Sequence, residues 1–449
     1  MKIIIAGAGE VGFHLAKLLS FESLDITLID PNKERLNYAE SHLDIRTIRG
    51  DASSLSLIRE AEVDQSDLFI AVTSDQSTNI TICAIAKQLG CKRTIARISN
   101  IEYINDQNLV SFKAIGVDEL ISPEALAATE ILQLLDQSAF SNSYEFEGGA
   151  LTLMGTTLGN KVPFVGKSVK DAATIFPDVH FMPVAIQQKG TQYTKIPRGD
   201  TIFEAGDNVF FITLKEGVEE LYNLTGKKKT SIKNIMILGG GKIGFNTSQA
   251  LLKKKFNITL VEQDKAKAFE IADALPNALV IQGDGRNVEL LEEEDLQSMD
   301  AFISVTQNSE TNIMSCLIAN SKNVKKTIAL VENMDYFQLS QSIGIDTLIN
   351  KKLLTANTIF RYIRKGEVVD MTTLNNLNVE ILEFVVKPTS KVTNYRIKDL
   401  DFPRTAIIGG VIRQGNSIIA LGDFKILAGD RVVVCCLPPS IKRIESLFL

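Results

Sequence analysis

The sequence predicts an α/β chain laid out as a tandem repeat, A-B-A′-B′, in which each A is an open parallel sheet flanked by helices and each B is a small α+β domain. Three observations predict it: apolar strand-length runs that alternate with helix-length segments, a glycine motif that occurs twice, and the alignment of the first half of the chain on the second.

The strand runs of the first A are Lys2–Ala6, Asp25–Ile29, Ile45–Ile48, Leu68–Val72 and Thr94–Ile98. They are continuous rather than alternating, the pattern of strands covered on both faces, as in a parallel sheet. Val11–Leu19 and Thr78–Leu89 read as intervening helices. Ser122-Pro123-Glu124 opens another, with a capping serine and proline in the first turn, leading into Ala125–Leu135; its counterpart is Lys351–Ile363. In the first B, Phe146–Leu153, Met182–Gln188, Thr194–Ile196 and Asn208–Thr213 read as short strands, and Val169–Ile175 as a short helix. Gly199-Asp200 and Gly206-Asp207 punctuate them as turns.

Internal repetition fixes this architecture before any motif is read. Gly7, Gly9, Gly12 and Asp30 align with Gly239, Gly241, Gly244 and Glu262 at an offset of 232. Gly50-Asp51 aligns with Gly283-Asp284, and Thr73, Asp75 and Asn79 with Thr306, Asn308 and Asn312, at an offset of 233. Ile115-Gly116-Val117-Asp118 matches Ile343-Gly344-Ile345-Asp346, and in the B regions Ala205-Gly206-Asp207 matches Ala428-Gly429-Asp430. The expected domains are residues 1–137, 140–225, 232–366 and 367–449, joined by linkers at Gln137–Ser143, Gly226–Ser231 and near Gly366. A chain of 449 residues has room for two to four such compact units.

The glycine motif carries the chemistry. Gly7-Ala8-Gly9-Glu10-Val11-Gly12 and Gly239-Gly240-Gly241-Lys242-Ile243-Gly244 each join a first strand to a helix. In this dinucleotide-binding, Rossmann-like fingerprint the first glycine makes the turn, the second admits a pyrophosphate against the backbone, and the third lets helix and strand pack closely. The helix N-terminus then presents free N–H groups to the phosphates. A lone match recurs by chance in roughly one chain in ten of this length. Here both copies follow a strand and both place an acid, Asp30 or Glu262, 18 residues beyond the third glycine. These acids are expected to accept from ribose hydroxyls and to disfavour a 2′-phosphate, so NAD or another adenine nucleotide is expected over NADP.

Asp51 and Asp284 follow the third strand, at the adenosine side, and Thr73-Ser74 and Thr306 follow the fourth. Each is either a ligand contact or a turn residue capping a helix. Arg97 aligns with Leu330, so the first copy alone offers a guanidinium at the end of the fifth strand, suited to extra phosphate charge; the alternative is a surface ion pair.

Net charge −6 argues against nucleic acid as a partner, since that binding rests on cationic contacts to phosphate. No apolar run approaches the roughly 18 residues of a membrane span, and the N-terminal apolar run is cut short by Gly7, which speaks against a secretory signal. The five cysteines show no metal-binding or disulfide spacing and read as buried hydrophobes in a reducing cytoplasm. His14, His42 (in a loop region) and His180 do not recur in the second half, and no nucleophile motif appears, which weighs against an NAD-dependent oxidoreductase without removing it.

The paired GAGEVG and GGGKIG, Asp30 and Glu262, the Gly-Asp pairs, and the AVTSDQSTN and SVTQNSETN blocks together resemble the TrkA family, cytoplasmic proteins with two potassium-conductance-regulating (RCK, or KTN) modules. The resemblance covers essentially the whole chain. It implies a non-catalytic subunit, peripheral on the inner face of the plasma membrane, that gates a TrkH/TrkG-like potassium-translocating protein in response to NAD(H) and adenine nucleotides. It further implies that the A units pair within a chain and that chains assemble into a homo-oligomeric ring. By position it implies a first site of Gly7–Gly12, Asp30, Asp51, Thr73, Ser74 and Arg97, taking ATP or ADP, and a second of Gly239–Gly244, Glu262, Asp284 and Thr306. A stand-alone nucleotide sensor remains the other alternative.

Overall fold

The computed structural model describes the chain except for residues 21–23, 106–109, 137–141, 177–179, 190, 192, 226–231, 334–335, 337–344, 346, 365–369, 375–378 and 449. The expected linkers at 226–231 and near Gly366, and Ile343, Gly344 and Asp346 of the repeat, lie outside the described residues.

In the first A, β1 (Lys2–Ala6) leads through the glycine turn into α1 (Glu10–Ser20), then β2 (Asp25–Asp30), α2 (Lys33–His42), β3 (Arg46–Arg49) and α3 (Leu55–Glu60). The chain crosses over to β4 (Leu68–Ala71), α4 (Gln76–Gln88), β5 (Arg93–Arg97), α5 (Glu102–Asn105), β6 (Glu119–Ile121) and α6 (Pro123–Asp136). The six strands are parallel in the order β3-β2-β1-β4-β5-β6. Ile3, Ile4, Ile5 and Ala6 of the central strand are fully buried, which is why that run is continuously apolar. The order reverses between β1 and β4, so the loops after these strands diverge and open a crevice at the carboxyl edge of the sheet.

In the first B, β7 (Asn142–Phe146), β8 (Leu151–Thr157), α7 (Val169–Ile175), β9 (Phe181–Gln187), β10 (Thr194–Lys195), β11 (Asn208–Leu214) and α8 (Gly217–Thr225) form an antiparallel sheet with two helices. One expected strand is corrected: Phe146–Leu153 is a corner, not a strand. β7 ends at Phe146, a 3-10 turn spans Glu147–Gly149 with Glu147 at φ 46° and Gly149 at φ 92°, and β8 returns from Leu151. Phe146, Leu151 and Leu153 enter one core from both sides of the turn, so their apolar pattern looks unbroken in sequence. Asn142 and Ser143, expected in a linker, belong to β7, and His42, expected in a loop, is the last residue of α2.

The second half repeats this layout. The second A comprises β12 (Asn234–Leu238), α9 (Lys242–Lys253), β13 (Asn257–Glu262), α10 (Lys265–Ala274), β14 (Leu279–Gln282), α11 (Val288–Glu293), β15 (Ala301–Ser304), α12 (Ser309–Ser321), β16 (Lys326–Leu330), β17 (Thr347–Ile349) and α13 (Lys351–Arg364). Its strand order, β14-β13-β12-β15-β16-β17, matches the first. The second B holds β18 (Asp370–Leu374), β19 (Val379–Val385), β20 (Ala406–Arg413), β21 (Asn416–Ile418), β22 (Arg431–Cys436) and α14 (Ile441–Phe448). The architecture is therefore α/β, with two Rossmann-like parallel-sheet domains, each followed by a small α+β domain.

Like packs with like. The chain forms two compact units, Met1–Leu132 with Ile232–Ile363, and Gln133–Ser231 with Arg364–Leu449. In the second unit Leu151, Leu153, Phe210 and Ile212 share a core with Val379, Ile381, Val433 and Cys435. Gly409 makes that approach possible, since a Cβ there would lie 2.2 Å from Ile212 Cδ1. All five cysteines are buried, and burial pushes the Cys83 and Cys435 thiols up, so they pack as neutral apolar groups. Among the described residues, no helix is long and apolar enough to cross a membrane.

Phe210 is fully buried in the shared core of the small domains, whereas Tyr193 is 63% exposed. Phe210→Ala should lose about 3–5 kcal/mol in urea denaturation, and Tyr193→Ala within about 0.5 kcal/mol of nothing.

Candidate functional site

Each candidate site begins at the turn between the first strand and the first helix. Gly7 and Gly239 have φ of 108° and 103°, a left-handed conformation open to glycine, and their amides donate to Ile29 and Val261 carbonyls at 2.8 Å. The turn brings the helix back so closely that a Cβ on Gly12 would lie 1.8 Å from the Gly7 carbonyl oxygen, and one on Gly244 1.9 Å from that of Gly239. The middle glycines, Gly9 and Gly241, have no atom within 4 Å of where a Cβ would stand. That open space is where the backbone can be approached by a ligand. Val11 and Ile243 bury their side chains and anchor the helix start.

The acids at the ends of β2 and β13 hold this turn. Asp30 Oδ2 accepts from the Ala8 amide at 2.7 Å and Oδ1 from the Asn32 amide at 2.8 Å. Glu262 accepts in the same way, Oε2 from Gly240 at 2.8 Å and Oε1 from Asp264 at 3.0 Å. Sequence reasoning saw these acids only as hydroxyl acceptors; the structure shows that they also fix the loop, with lone pairs remaining on each oxygen. Burial works to raise the Glu262 carboxyl, but the Asp264 amide, the Lys267 ammonium and the Gly240 amide outweigh it and hold it below the ordinary value.

Across the crevice, an asparagine clip ties the ends of the fourth and fifth strands. The Thr73 amide and hydroxyl both donate to Asn79 Oδ1, at 2.9 and 2.7 Å, while Asn79 Nδ2 donates to the Thr73 and Arg97 carbonyls. Thr306, Asn312 and Leu330 repeat it, with amide and hydroxyl distances of 2.9 and 2.6 Å. Both asparagines are 1% exposed. The signal for them was present in sequence, as the asparagine six positions after the threonine in both copies, but not its role. Ser74 is exposed beside the clip. Asp51 makes a turn, accepting from the Ser53 amide at 2.8 Å, which holds its carboxyl below the usual range.

In the second copy the structure brings Gly239, Gly241, Glu262, Asp284 and Thr306 together around a polar cleft of about 430 Å³, together with Lys267, Arg286, Asn308 and Thr311. Lys267 stands 3.1 Å from Glu262, and its repeat counterpart Arg35 stands 4.0 Å from Asp30. Leu330 does not leave the second site without a guanidinium. Arg286 lines that cleft, its guanidinium folded onto Asp284 at 2.6–3.1 Å, because it lies two residues past Asp284 in the same turn. At the end of the fifth strand the asymmetry stands: Leu330 is buried, whereas Arg97 is half-buried and its side chain makes no ion pair with a described residue.

The histidines lie elsewhere: His14 is on α1, with burial holding it below its ordinary value, His42 stacks on Tyr38, and His180 faces Glu220 at 3.8 Å. A larger cavity of about 740 Å³, in the unit of small domains, is lined mainly by apolar side chains such as Phe164, Phe176 and Phe203.

Residues 3–123 and 235–351 match the family described as TrkA-N domain, and residues 153–226 and 381–449 that described as TrkA-C domain. The chain is 31% identical over 453 residues to the Trk system potassium uptake protein TrkA of Halomonas elongata, a match covering 100% of this chain and 98% of that protein. The chain belongs to the TrkA family. It is likewise similar to the Trk system potassium uptake protein TrkA of Haemophilus influenzae, 32% identical over 454 residues, covering 100% of this chain and 98% of that one. Among solved structures, the GsuK RCK domain shares the fold with a TM-score of 0.61 at 14% identity, over 100% of this chain and 94% of that one. The GsuK channel bound to NAD does so with a TM-score of 0.61 at 15% identity, over 100% of this chain and 78% of that one. Both TrkA-N segments of this TrkA-family chain contain a complete glycine turn, acid clamp and asparagine clip.

The depressed Glu262 carboxyl makes a pH prediction. A depressed acid contributes stability that is present above its ordinary pKa, 4.5, and lost as pH falls through the lower folded value. Glu262→Gln should therefore lower the thermal midpoint at pH 7 relative to the unsubstituted protein. The gap should close as the pH drops below about 4.5, read by scanning calorimetry across a pH series.

Proposed function

We propose that this chain is a nucleotide-sensing regulatory subunit, cytoplasmic and peripheral on the inner face of the plasma membrane, that binds NAD(H) and adenine nucleotides and gates a TrkH/TrkG-like potassium-uptake protein without performing chemistry. The observation that carries the reading is the duplicated cleft. Two copies of one backbone cradle are built to the same geometry and then given different charged linings, Arg97 in one and Arg286 in the other. Full-length similarity to proteins named for potassium uptake supports the transport role, and solved GsuK structures bound to NAD and to ADP support the choice of ligands.

In this reading the pyrophosphate lies at the N-terminus of α1 or α9, against Gly9 or Gly241, where free helical N–H groups and the helix dipole favour an anion. Asp30 and Glu262 use their remaining lone pairs on ribose hydroxyls, Asp51 and Asp284 lie on the adenosine side, and Thr73, Ser74 and Thr306 close the crevice from the fourth strand. Arg97 meets the extra phosphate charge of ATP or ADP at the first site, and the second site takes NAD(H). A ligand gates only by binding two conformations of a homo-oligomeric ring unequally, typically by about 1–3 kcal/mol per coupled site.

Two measurements decide the matter. Arg97→Ala should weaken ATP and ADP at the first site by roughly tenfold or more in calorimetric titration, the loss expected for charge-assisted bonds to phosphate, and leave NAD at the second unchanged; unchanged ATP and ADP affinities would remove Arg97 from the site. Purified chain added to vesicles carrying the reconstituted potassium-translocating protein should change potassium flux in a nucleotide-dependent manner. Flux indifferent to every nucleotide would end the gating proposal.

A further inference from the structure

Within the unit formed by Met1–Leu132 and Ile232–Ile363, the two A domains touch through their fingerprint helices. Glu10, which opens α1, forms an ion pair with Lys352 of α13. Lys242, which opens α9, donates from Nζ to the Ser99 carbonyl at 3.2 Å.

The internal repeat relates these residues in pairs. Glu10 and Lys242 are equivalent, each the first residue of the helix after a glycine turn. Glu124 and Lys352 are equivalent, each second in the helix after the sixth strand, and each two residues beyond the cap, Ser122 or Asn350. Ser99 and Glu332 are equivalent, each two residues past the fifth strand, with amides that donate to Gln76 and Ser309 in the first turn of the fourth helix.

The equivalence exposes an exchange of charge. Lys352 Nζ donates to the Glu332 carbonyl at 3.2 Å, as Lys242 Nζ does to the Ser99 carbonyl. Both halves of the contact thus hold an ammonium on the same carbonyl position. In one half it arrives from α13 and faces a glutamate on α1; in the other it arrives from α9, and the equivalent of its partner is Glu124 on α6. Glu124 keeps one buried carboxylate oxygen without a hydrogen bond.

We propose that this exchange selects pairing of the first copy with the second and selects against pairing of like copies. First with second sets glutamate against lysine as an ion pair at positions 10 and 352, and places a glutamate and a lysine at the equivalent positions 124 and 242. First with first, between two chains, would set position 10 against position 124, glutamate on glutamate, twice over. Second with second would set position 242 against position 352, lysine on lysine, twice over. The fold is common to both copies, so shape alone does not forbid these pairs; opposed like charges at a close contact do.

A single exchanged pair breaks the code and keeps opposite charges at the native contact, at the loss of the Lys352 bonds to Glu332. Glu10→Lys with Lys352→Glu keeps opposite charges between first and second copies but makes both like-copy pairs attractive as well. The probe is a benzophenone on Ser99→Cys, which leaves the carbonyl in place and, because the native cysteines are buried, is the site labelled. Isotopically light and heavy full-length chains are mixed under denaturant, returned to native buffer and irradiated. Without the exchange, insertion should fall in α9, with light-to-heavy insertion into α1 at background. With it, light-to-heavy insertion into α1 should rise by roughly tenfold or more. Equal interchain insertion into α1 in both proteins would overturn the proposal. Should that variant fail to fold, Glu124→Lys with Lys242→Glu makes the same prediction, and carbodiimide treatment of the unsubstituted protein should join Glu124 to Lys242; no such link would overturn it too.

Discussion

Each parallel-sheet domain is organised by one close approach, between the third glycine of the fingerprint and the carbonyl of the first. With room for a hydrogen and not for a methyl group, Gly12 and Gly244 let α1 and α9 start directly over the carboxyl ends of their first strands. The unpaired amides at those helix tips point into the crevice because of it. Asp30 and Glu262 then hold the turn from the second strand, and Asn79 and Asn312 hold the opposite wall from the fourth helix. The crevice is thus preorganised on all sides by buried or nearly buried hydrogen bonds, which cost much to break in a low-dielectric setting.

On that common frame the two copies differ in charge where side chains reach the crevice and the neighbouring copy. Arg97 against Leu330, Ser53 against Arg286, and Glu10 against Lys242 are changes of charge at positions whose backbone is unchanged. Duplication supplies two sheets that pack alike, and substitution at the rims makes them unequal in ligand and in partner. The small domains follow the same logic with apolar means, sharing one core through Phe210, Ile212 and Val433, with Ile212 packed against Gly409.

Most of the fold was legible because its signals are local. The burial of β1 on both faces is visible as Ile3-Ile4-Ile5, and the helix starts as Ser122-Pro123 and the glycine turns. β6 and β17, three residues each, escaped because so short a segment carries no period. The Phe146–Leu153 corner escaped because apolar residues on both sides of a two-glycine turn meet the same core. Arg286 escaped because nothing in a sequence tells whether a guanidinium folds onto Asp284 or turns to solvent.

By itself the sequence determined the repeat, the two glycine cradles, the acid that accompanies each and the arginine that ends the fifth strand of the first copy alone, since these follow from residue type and spacing under fixed backbone geometry. Tertiary structure decided what each group does: that Asp30 and Glu262 clamp the turn, that Asn79 and Asn312 bind two strands, and that two lysines of the second copy come to equivalent carbonyls, one in each copy. Those roles depend on distances between residues up to 143 positions apart, as with Lys242 and Ser99, and such distances exist only once the chain has packed.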